Sequence, residues 1–270
     1  MEKIINELAV FINGDNVKKS ILFVHGFPYD HLMWDNQVSE LKNNYRCITY
    51  DIRGLGESPS GDGQFTIESF VDDIETIINE LKLHKPVLCG LSMGGYIALR
   101  AVERMEEMFS GLILCDTKSE ADGNEVKLRR SVGIKKINKE GIKKFVSEFV
   151  PTCFSKESIN NLKEYPVVLN RALGSDPTGV KGCLLAMAGR TDTTGYLEQI
   201  KIPVLVICGE KDSLSPPESM RELASKIKDS EFVLIPEAAH MTPVENSKAV
   251  NSAIINYLNK INGNNESNYL

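Results

Sequence analysis

A serine flanked by glycines stands between a predicted strand and a predicted helix. Pro86–Leu91 is a short apolar run typical of a buried strand, and a helical pattern that includes Tyr96 follows at about 93–105. The segment Gly90–Gly95 between them reads Gly-Leu-Ser-Met-Gly-Gly, with Ser92 at its centre. Because glycine lacks a Cβ, such a turn can close tightly and raise the serine hydroxyl above the sheet edge, at a helix N-terminus that favours negative charge. The pattern predicts a nucleophilic serine.

A serine hydroxyl is a weak nucleophile at neutral pH and requires a general base beside it. The chain has four histidines, and among them His240 follows a late predicted strand. A carboxylate behind the histidine fixes its tautomer and stabilises its cation. Two aspartates at the ends of predicted strands, Asp116 and Asp212, are candidates for this acid. These residues predict nucleophilic catalysis by a Ser–His–Asp set.

Composition and charge argue against several other classes of function. The 270 residues are 42% hydrophobic and 25% charged, with a formal net charge of -6. These values are typical of a globular protein and unfavourable for binding nucleic acid. The basic stretch 127–144 is interpreted as a solvated helix face rather than a membrane-surface helix. The six cysteines form no CxxC pair, so neither a metal site nor a redox motif is predicted.

The sequence shows no targeting signal or membrane segment. Met1–Val10 lacks the basic start and the long apolar stretch of a signal peptide. No apolar run approaches the length of a membrane span. We therefore expect a soluble cytoplasmic protein that acts on a small molecule, without a membrane or nucleic-acid partner.

Short apolar runs alternate with helical patterns along most of the chain. Buried strands are predicted at 20–25, 46–51, 86–91, 111–116, 203–209 and 231–236. Helices are predicted at about 66–83, 93–105, 216–228 and 243–260. This alternation predicts an α/β fold with a mostly parallel central sheet flanked by helices. Leu8–Ile12 is expected to add an antiparallel edge strand.

One long region breaks this alternation. Between Thr117 and Gln199 no strand is predicted, and the region is too long for an ordinary connection. We interpret 117–199 as an inserted helical cap on a core domain formed by 1–116 and 200–270. The polar tail, residues 262–269, is expected to be frayed.

Five segments occur in the order found in the α/β-hydrolase superfamily, which the sequence resembles over nearly its whole length. They are the oxyanion segment His25–Pro28, the DxRGxGxS segment Asp51–Ser58, the nucleophile turn Gly90–Gly95, the acid segment Gly209–Asp212 and the histidine segment Glu237–His240. Within the superfamily the chain is similar to capped serine esterases and 3-oxoadipate enol-lactonases, on Leu114–Thr117 and Ala186–Asp192.

The resemblance implies specific roles for the site residues. It assigns the nucleophile, the acid and the base to Ser92, Asp212 and His240. It favours Asp212 over Asp116, because the segment after Gly209 matches the commoner arrangement of the superfamily. It places the oxyanion hole at the backbone N–H groups of Phe27 and Met93. Acyl transfer by this set needs neither a metal nor an organic cofactor, and none is expected.

Four further residues are predicted to contact the substrate: His31, Trp34, Met187 and Arg190. Arg190 reaching inward would suit a carboxylate-bearing substrate. Trp34 and Met187 also fit ordinary packing of the loop and the cap, and His31 also fits a surface position. Separately, Asp51 and Arg53 are expected to form a buried charge pair that braces a turn near the site.

The resemblance implies hydrolysis of a carboxylic ester through an acyl-enzyme intermediate. The same three residues serve enol-lactone opening, C–C bond hydrolysis and cofactor-free perhydrolysis, which stay open as alternatives. A small-molecule receptor built on the hydrolase fold is the alternative of another class. Ser92 argues against haloalkane dehalogenases and epoxide hydrolases, which use an aspartate at this turn.

Overall fold

A computed structural model gives the fold, describing the backbone of residues 1–267 and the side chains of residues 1–263. Within that part of the chain eight strands form one sheet: β1 Glu2–Ile5, β2 Leu8–Asn13, β3 Ser20–Val24, β4 Arg46–Tyr50, β5 Val87–Leu91, β6 Gly111–Cys115, β7 Val204–Gly209 and β8 Ser230–Ile235. The α-helices of the same part are α1 Asp35–Leu41, α2 Ile67–Glu80, α3 Met93–Met105, α4 Asn124–Glu140, α5 Ile142–Phe149, α6 Lys156–Asn161, α7 Glu164–Leu173, α8 Pro177–Ala188, α9 Pro217–Ser225, α10 Thr242–Glu245 and α11 Ser247–Ser267.

The sheet is mostly parallel, with the strand order β1-β2-β4-β3-β5-β6-β7-β8. Strands β3 to β8 pair in parallel, whereas β2 is antiparallel to both of its neighbours. Every residue of β3 to β7 is buried, as expected of parallel strands covered by helices on both faces. The predicted α/β fold is confirmed, and the six strands predicted as buried each lie within one residue of their predicted bounds. β8 differs in being half-buried, with only Ile235 fully covered, because it is the last strand of the sheet.

The outer edge of the sheet differs from the prediction. Leu8–Ile12 does lie in an antiparallel strand, but β1 pairs with the outer side of that strand and is itself the edge. The reason is visible in the burial of β1, where Glu2, Lys3 and Ile4 are exposed and Ile5 is buried. A strand without a continuous buried face leaves no alternating pattern in the sequence.

Helices occupy the long interval between β6 and β7. In the described chain α4 to α8 lie there and no strand does. We call residues 117–199 the cap segment, and the division between cap and core domains remains a prediction from the sequence. The start and the end of this segment lie next to each other. Thr193 donates from its N–H and its hydroxyl to the carbonyl oxygen of Ser119, at 3.0 and 3.1 Å.

The C-terminal helix α11 is longer than the sequence predicts. It extends to Ser267, past the start of the polar tail at residue 262, and residues 268–269 of that tail lie outside the described residues. None of the helices that the structure describes combines the length and the apolar character needed to cross a bilayer.

The turn between β5 and α3 depends on close backbone packing. Ser92 has φ 54° and ψ −113°, a conformation that residues with a side chain rarely adopt. A Cβ on Gly90 would lie 2.3 Å from the carbonyl oxygen of Gly94, and a Cβ on Gly94 would lie 2.2 Å from that of Val24. Because Val24 ends β3, the nucleophile turn packs directly on the segment that follows β3.

Replacing Gly94 by alanine tests this packing. The added methyl group would press on the carbonyl oxygens of Val24 and His25. We expect Gly94→Ala to lower the free energy of unfolding by about 3 kcal/mol, the upper range for overpacking. Gly123→Ala is the matched control, because a Cβ there meets nothing within 4 Å and φ is −69°. Urea denaturation measures both variants, and equal stability would contradict the requirement for glycine at 94.

Candidate active site

Ser92, His240 and Asp212 form a continuous hydrogen-bonded chain. Ser92 Oγ lies 2.8 Å from His240 Nε2, and His240 Nδ1 lies 2.8 Å from Asp212 Oδ2. The three residues follow β5, β8 and β7, so they meet at the carboxyl edge of the parallel strands. The structure thus brings these side chains together in the order that proton transfer from a serine requires.

The carboxylate of Asp212 is held by its own loop. Its Oδ1 accepts hydrogen bonds from the backbone N–H groups of Leu214 at 2.8 Å and Ser215 at 3.1 Å. This arrangement leaves Oδ2 to accept from the imidazole of His240. Asp116, the other candidate acid, is hydrogen-bonded to different groups. The partner of the histidine in this structure is therefore Asp212.

The two predicted oxyanion donors lie on segments that pack against each other. Met93 is the first residue of α3, so its N–H has no acceptor within the helix. Phe27 follows Gly26, and a Cβ placed on Gly26 would lie 3.5 Å from Ser92 Cβ. The loop that carries Phe27 therefore runs beside Ser92, as the predicted oxyanion role requires.

His25 braces this loop and is neutral. It is fully buried, with Nδ1 2.9 Å from the carbonyl oxygen of Gly26, while Nε2 accepts from the N–H of Ile52 at 2.9 Å. One ring nitrogen therefore donates and the other accepts, which fixes the tautomer. Burial lowers the pKa of His25 below its ordinary value. The residue connects the loop after β3 to the loop after β4.

The cap segment places an aromatic surface on the oxyanion loop. The rings of Phe145 and Phe149 in α5 stack with their centroids 5.7 Å apart. Both meet the ring of Phe27 edge-on, at 6.2 Å and 5.5 Å. Such contacts between aromatic rings are favourable beyond the burial of their area. The surroundings of the predicted oxyanion donor Phe27 are thus apolar and aromatic.

The residues His31 and Trp34, predicted to contact the substrate, make other contacts. The ring of His31 stacks on Phe11 at 3.6 Å and its Nδ1 lies 2.8 Å from Asp51 Oδ1. Trp34 is fully buried, with its ring 5.2 Å from that of Phe23. The structure does not bring either ring into contact with the hydrogen-bonded chain, and their substrate-binding role stays a prediction without a supporting contact.

Arg190 and Met187 are also engaged in packing. Met187 is buried on α8, and its carbonyl oxygen accepts from Arg190 Nη1 at 3.2 Å. The guanidinium of Arg190 donates to the carboxylate of Asp122 and to the carbonyl oxygen of Glu120, and it lies 4.1 Å from the centroid of the Tyr96 ring. Its side chain is 4% exposed. Arg190 thus connects the end of the cap segment to α3, and its guanidinium is engaged by Asp122, Glu120 and the ring of Tyr96.

The expected charge pair between Asp51 and Arg53 does not form. Arg53 Nε donates to Asp73 at 2.8 Å, whereas Asp51 accepts from the backbone and the ring of His31 and from the N–H of Glu57. Burial alone raises the pKa of Asp51, but the hydrogen bond from His31 and other nearby groups lower it overall. Asp51 and Arg53 still hold the turn, but each does so through its own hydrogen bonds and not through a bond to the other.

Two clusters of described residues bring possible metal-ligand atoms within 4.8 Å of one another: Asp30, His31 and Asp51, and Asp116, Cys208 and Asp212. Protein groups already donate hydrogen bonds to each of these carboxylates. Hydrogen bonding between protein groups therefore accounts for both clusters without an ion.

Glu245 fixes the histidine loop, although no sequence motif singles it out. Its Oε1 accepts from the N–H groups of Ala239 at 2.9 Å and Met241 at 3.2 Å, the two neighbours of His240. Its Oε2 accepts from the N–H of Ser155 in the cap segment at 2.8 Å. The sequence offers only an acidic residue five positions after the histidine, at the end of the short helix α10.

A cleft of about 390 Å³ lies between α1, α7 and the 3-10 helix His31–Trp34. Asp30 and Arg171 pair within its lining at 2.8 Å. None of the three residues of the hydrogen-bonded chain lines this cleft. It is separate from the candidate active site.

The fold and the site have counterparts among known proteins. The family described as the alpha/beta hydrolase fold matches residues 19–247. The chain belongs to this family. Among curated relatives of this α/β hydrolase, the AB hydrolase superfamily protein YisY of Bacillus subtilis is 28% identical, over 93% of this chain and 96% of its own.

Solved structures resemble the α/β hydrolase over nearly its whole length. A thermophilic esterase from Thermogutta terrifontis has 35% identity and a TM-score of 0.91, covering 97% of this chain and 98% of its own. An enol-lactonase from Burkholderia xenovorans has 26% identity and a TM-score of 0.87, covering 96% of this chain and all (100%) of its own. These similarities support a hydrolase.

Glu245→Gln tests the role of the histidine loop. An amide nitrogen cannot accept, so the variant loses either the bonds beside His240 or the bond to the cap segment. A hydrogen bond to a charged group contributes roughly 1.5–3 kcal/mol. If about half of this free energy serves to position His240 in the transition state, its loss should lower kcat/KM about tenfold. Glu237→Gln is the control, since Glu237 lies in the same loop with its side chain 75% exposed. Equal kcat/KM in the two variants would refute the role.

Proposed function

We propose that this α/β hydrolase cleaves carboxylic esters through an acyl-enzyme formed on Ser92. The observation that carries the proposal is the pair of 2.8 Å contacts joining Ser92 Oγ, His240 and Asp212. Such a chain makes the hydroxyl nucleophilic, because the imidazole removes its proton as the oxygen attacks and the carboxylate stabilises the imidazolium.

The remaining steps follow from the same groups. Attack on the carbonyl carbon gives a tetrahedral oxyanion, which the N–H groups of Phe27 and Met93 stabilise. The imidazolium of His240 then gives its proton to the leaving alcohol, and the acyl group stays on Ser92. Water, deprotonated by His240, attacks the acyl carbon to give a second tetrahedral oxyanion. Its collapse breaks the bond to Ser92 Oγ, which regains its proton from His240, and releases the acid.

An uncharged substrate fits the surroundings best. The rings of Phe27, Phe145 and Phe149 offer an apolar surface. Arg190, the cation predicted for a substrate carboxylate, is bound to Asp122 and stacked on an aromatic ring. The similarity to the Thermogutta terrifontis esterase, at 35% identity, supports ester hydrolysis as the reaction.

Opening of an enol-lactone is the second candidate. It is favoured by the similarity to the Burkholderia xenovorans enol-lactonase and to a 3-oxoadipate enol-lactonase of Acinetobacter baylyi, which is 24% identical over 92% of this chain. A lactone is a cyclic ester, so the same attack by Ser92 applies. The two candidates differ in whether the leaving oxygen stays attached to the acyl group.

Covalent labelling tests the nucleophile. A fluorophosphonate probe should modify the protein at Ser92, and Ser92→Ala should abolish both labelling and ester hydrolysis. Asp212→Asn should keep the fold yet lower kcat by about 10⁴, the loss known for the equivalent acid of a serine protease. Ser110→Ala, which removes a serine outside the site, serves as control. Full activity in Ser92→Ala would overturn the proposal.

A substrate panel separates the candidates. We expect neutral p-nitrophenyl esters to give a kcat/KM at least tenfold above that of the matched esters carrying a terminal carboxylate, because burying an unpaired carboxylate against aromatic rings costs several kcal/mol. Faster turnover of an enol-lactone that bears a carboxylate would decide for the second candidate.

A further inference from the structure

Asp116, the candidate acid that does not contact His240, lies at the centre of the site's support. It follows β6, is fully buried and has φ 47°, an unfavourable conformation for an aspartate unless its surroundings hold it. Its Oδ1 accepts from the N–H of Gly209 at 2.8 Å, and its Oδ2 is hydrogen-bonded to Thr242 Oγ1. One buried carboxyl group therefore joins three segments of the chain.

The two partners of Asp116 belong to the loops that carry the acid and the base. Gly209 ends β7, three residues before Asp212, and Thr242 begins α10, two residues after His240. A change in the position of Asp116 is therefore transmitted to both loops. Thr242 is also fully buried, so solvent cannot replace the hydrogen bond if it is lost.

The carboxyl groups of Asp116 and Asp212 are close together. Their oxygens and Cys208 Sγ lie within 4.8 Å of one another, and all three residues are buried. Two unit negative charges at that distance away from water repel strongly. Asp212 accepts from two N–H groups and from His240, so its negative charge is compensated. Asp116 has one N–H donor and a hydroxyl group.

The hydrogen bonds of Asp116 suit a protonated carboxyl group. Oδ1 must accept, because Gly209 N–H can only donate. Oδ2 faces the hydroxyl of Thr242, which can accept as well as donate. A proton on Oδ2 is therefore accepted by Thr242 Oγ1 with both residues in place, the hydroxyl hydrogen of Thr242 turning away from Asp116.

We propose that Asp116 is a positioning residue that stays protonated, donates from Oδ2 to Thr242 Oγ1, and so holds the loops of Asp212 and His240 together while Asp212 carries the charge. This inference rests on the proposed function of Ser92, His240 and Asp212. It assigns the two acids at adjacent strand ends to different tasks, one anionic and one neutral.

The electrostatic surroundings agree with a neutral Asp116. Burial, followed by the nearby Asp212, raises the pKa of Asp116 well above its ordinary value, although its bonds with Thr242 and Gly209 act in the opposite direction. Cys208 from β7 faces it and stays neutral, since burial raises the pKa of that thiol.

The pH dependence of stability tests the protonation state without using activity. An Asp116 that is ionised in the unfolded chain and protonated in the folded one takes up a proton on folding, so stability falls as pH rises above its unfolded pKa. Asp116→Asn keeps the shape and both hydrogen bonds but cannot titrate. Between pH 6 and 8 we expect the unfolding equilibrium constant of the parent to rise with pH relative to that of Asp116→Asn, by up to tenfold per pH unit while Asp116 stays protonated in the folded state. A ratio that is constant over this range would overturn the protonated state.

Kinetics test the positioning role. Asp116→Ala should lower kcat about tenfold, because both loops lose their common anchor, and Asp116→Asn should restore most of that loss. The acidic limb of the kcat/KM–pH profile should stay in place in Asp116→Asn. If the limb moves to lower pH, Asp116 is an anion that supports the charge on His240, and the proposal is wrong.

A second pair of variants covers the case in which Asp116→Ala fails to fold. Thr242→Val removes the hydroxyl partner and should lower kcat as Asp116→Ala does, whereas Thr242→Ser keeps it and should resemble the parent. Equal kcat in the two would overturn the positioning role. Asp212→Asn separates this failure from that of the proposed function: if it keeps full activity, the assignment of the acid is wrong, while the stability measurement still reports on Asp116.

Discussion

The contact of Gly94 with the end of β3 is the constraint on which the site depends. A Cβ at Gly94 would lie 2.2 Å from the carbonyl oxygen of Val24, so the nucleophile turn and the loop after β3 meet backbone to backbone. That contact is available because β3 and β5 are parallel neighbours, with Val24 opposite Gly90. The loop that carries Phe27 follows β3 directly, so the same contact brings this loop close to Ser92. Strand order thus determines which backbone groups lie beside Ser92, before any side chain of the site is considered.

The cap segment contacts the candidate active site directly, at several residues. Thr117 donates from its hydroxyl to the carbonyl oxygen of Ser92 at 2.8 Å, and the carbonyl oxygen of Cys153 accepts from the N–H of His240 at 3.1 Å. Arg190 lies over the ring of Tyr96 in the helix that begins at the nucleophile. The cap segment therefore helps to hold both Ser92 and His240 in place. Changes in this segment will alter the geometry of the two residues as well.

Much of the fold and the order of the site residues could be predicted, because each leaves a local pattern. Buried parallel strands are short apolar runs, and the residues that follow them meet at one edge of the sheet. The predictions that were wrong or missing concern contacts with distant residues, which local sequence patterns do not reveal. β1 has no continuous buried face. Arg53 pairs with Asp73, twenty residues away on α2, and not with Asp51, its near neighbour in sequence. Glu245 acts through backbone N–H groups, which every residue except proline possesses.

The choice between Asp116 and Asp212 has a physical origin in the sheet. They follow β6 and β7, which are parallel neighbours, so the two carboxyl groups arrive at the same edge beneath the same histidine. Position along the chain therefore cannot separate them. The local donors can: the loop after β7 offers the N–H groups of Leu214 and Ser215, which compensate a negative charge, whereas the end of β6 meets one N–H and the hydroxyl of Thr242. A negative charge beneath the imidazole is stabilised on the carboxylate that accepts from several backbone N–H groups. In this chain that carboxylate is Asp212.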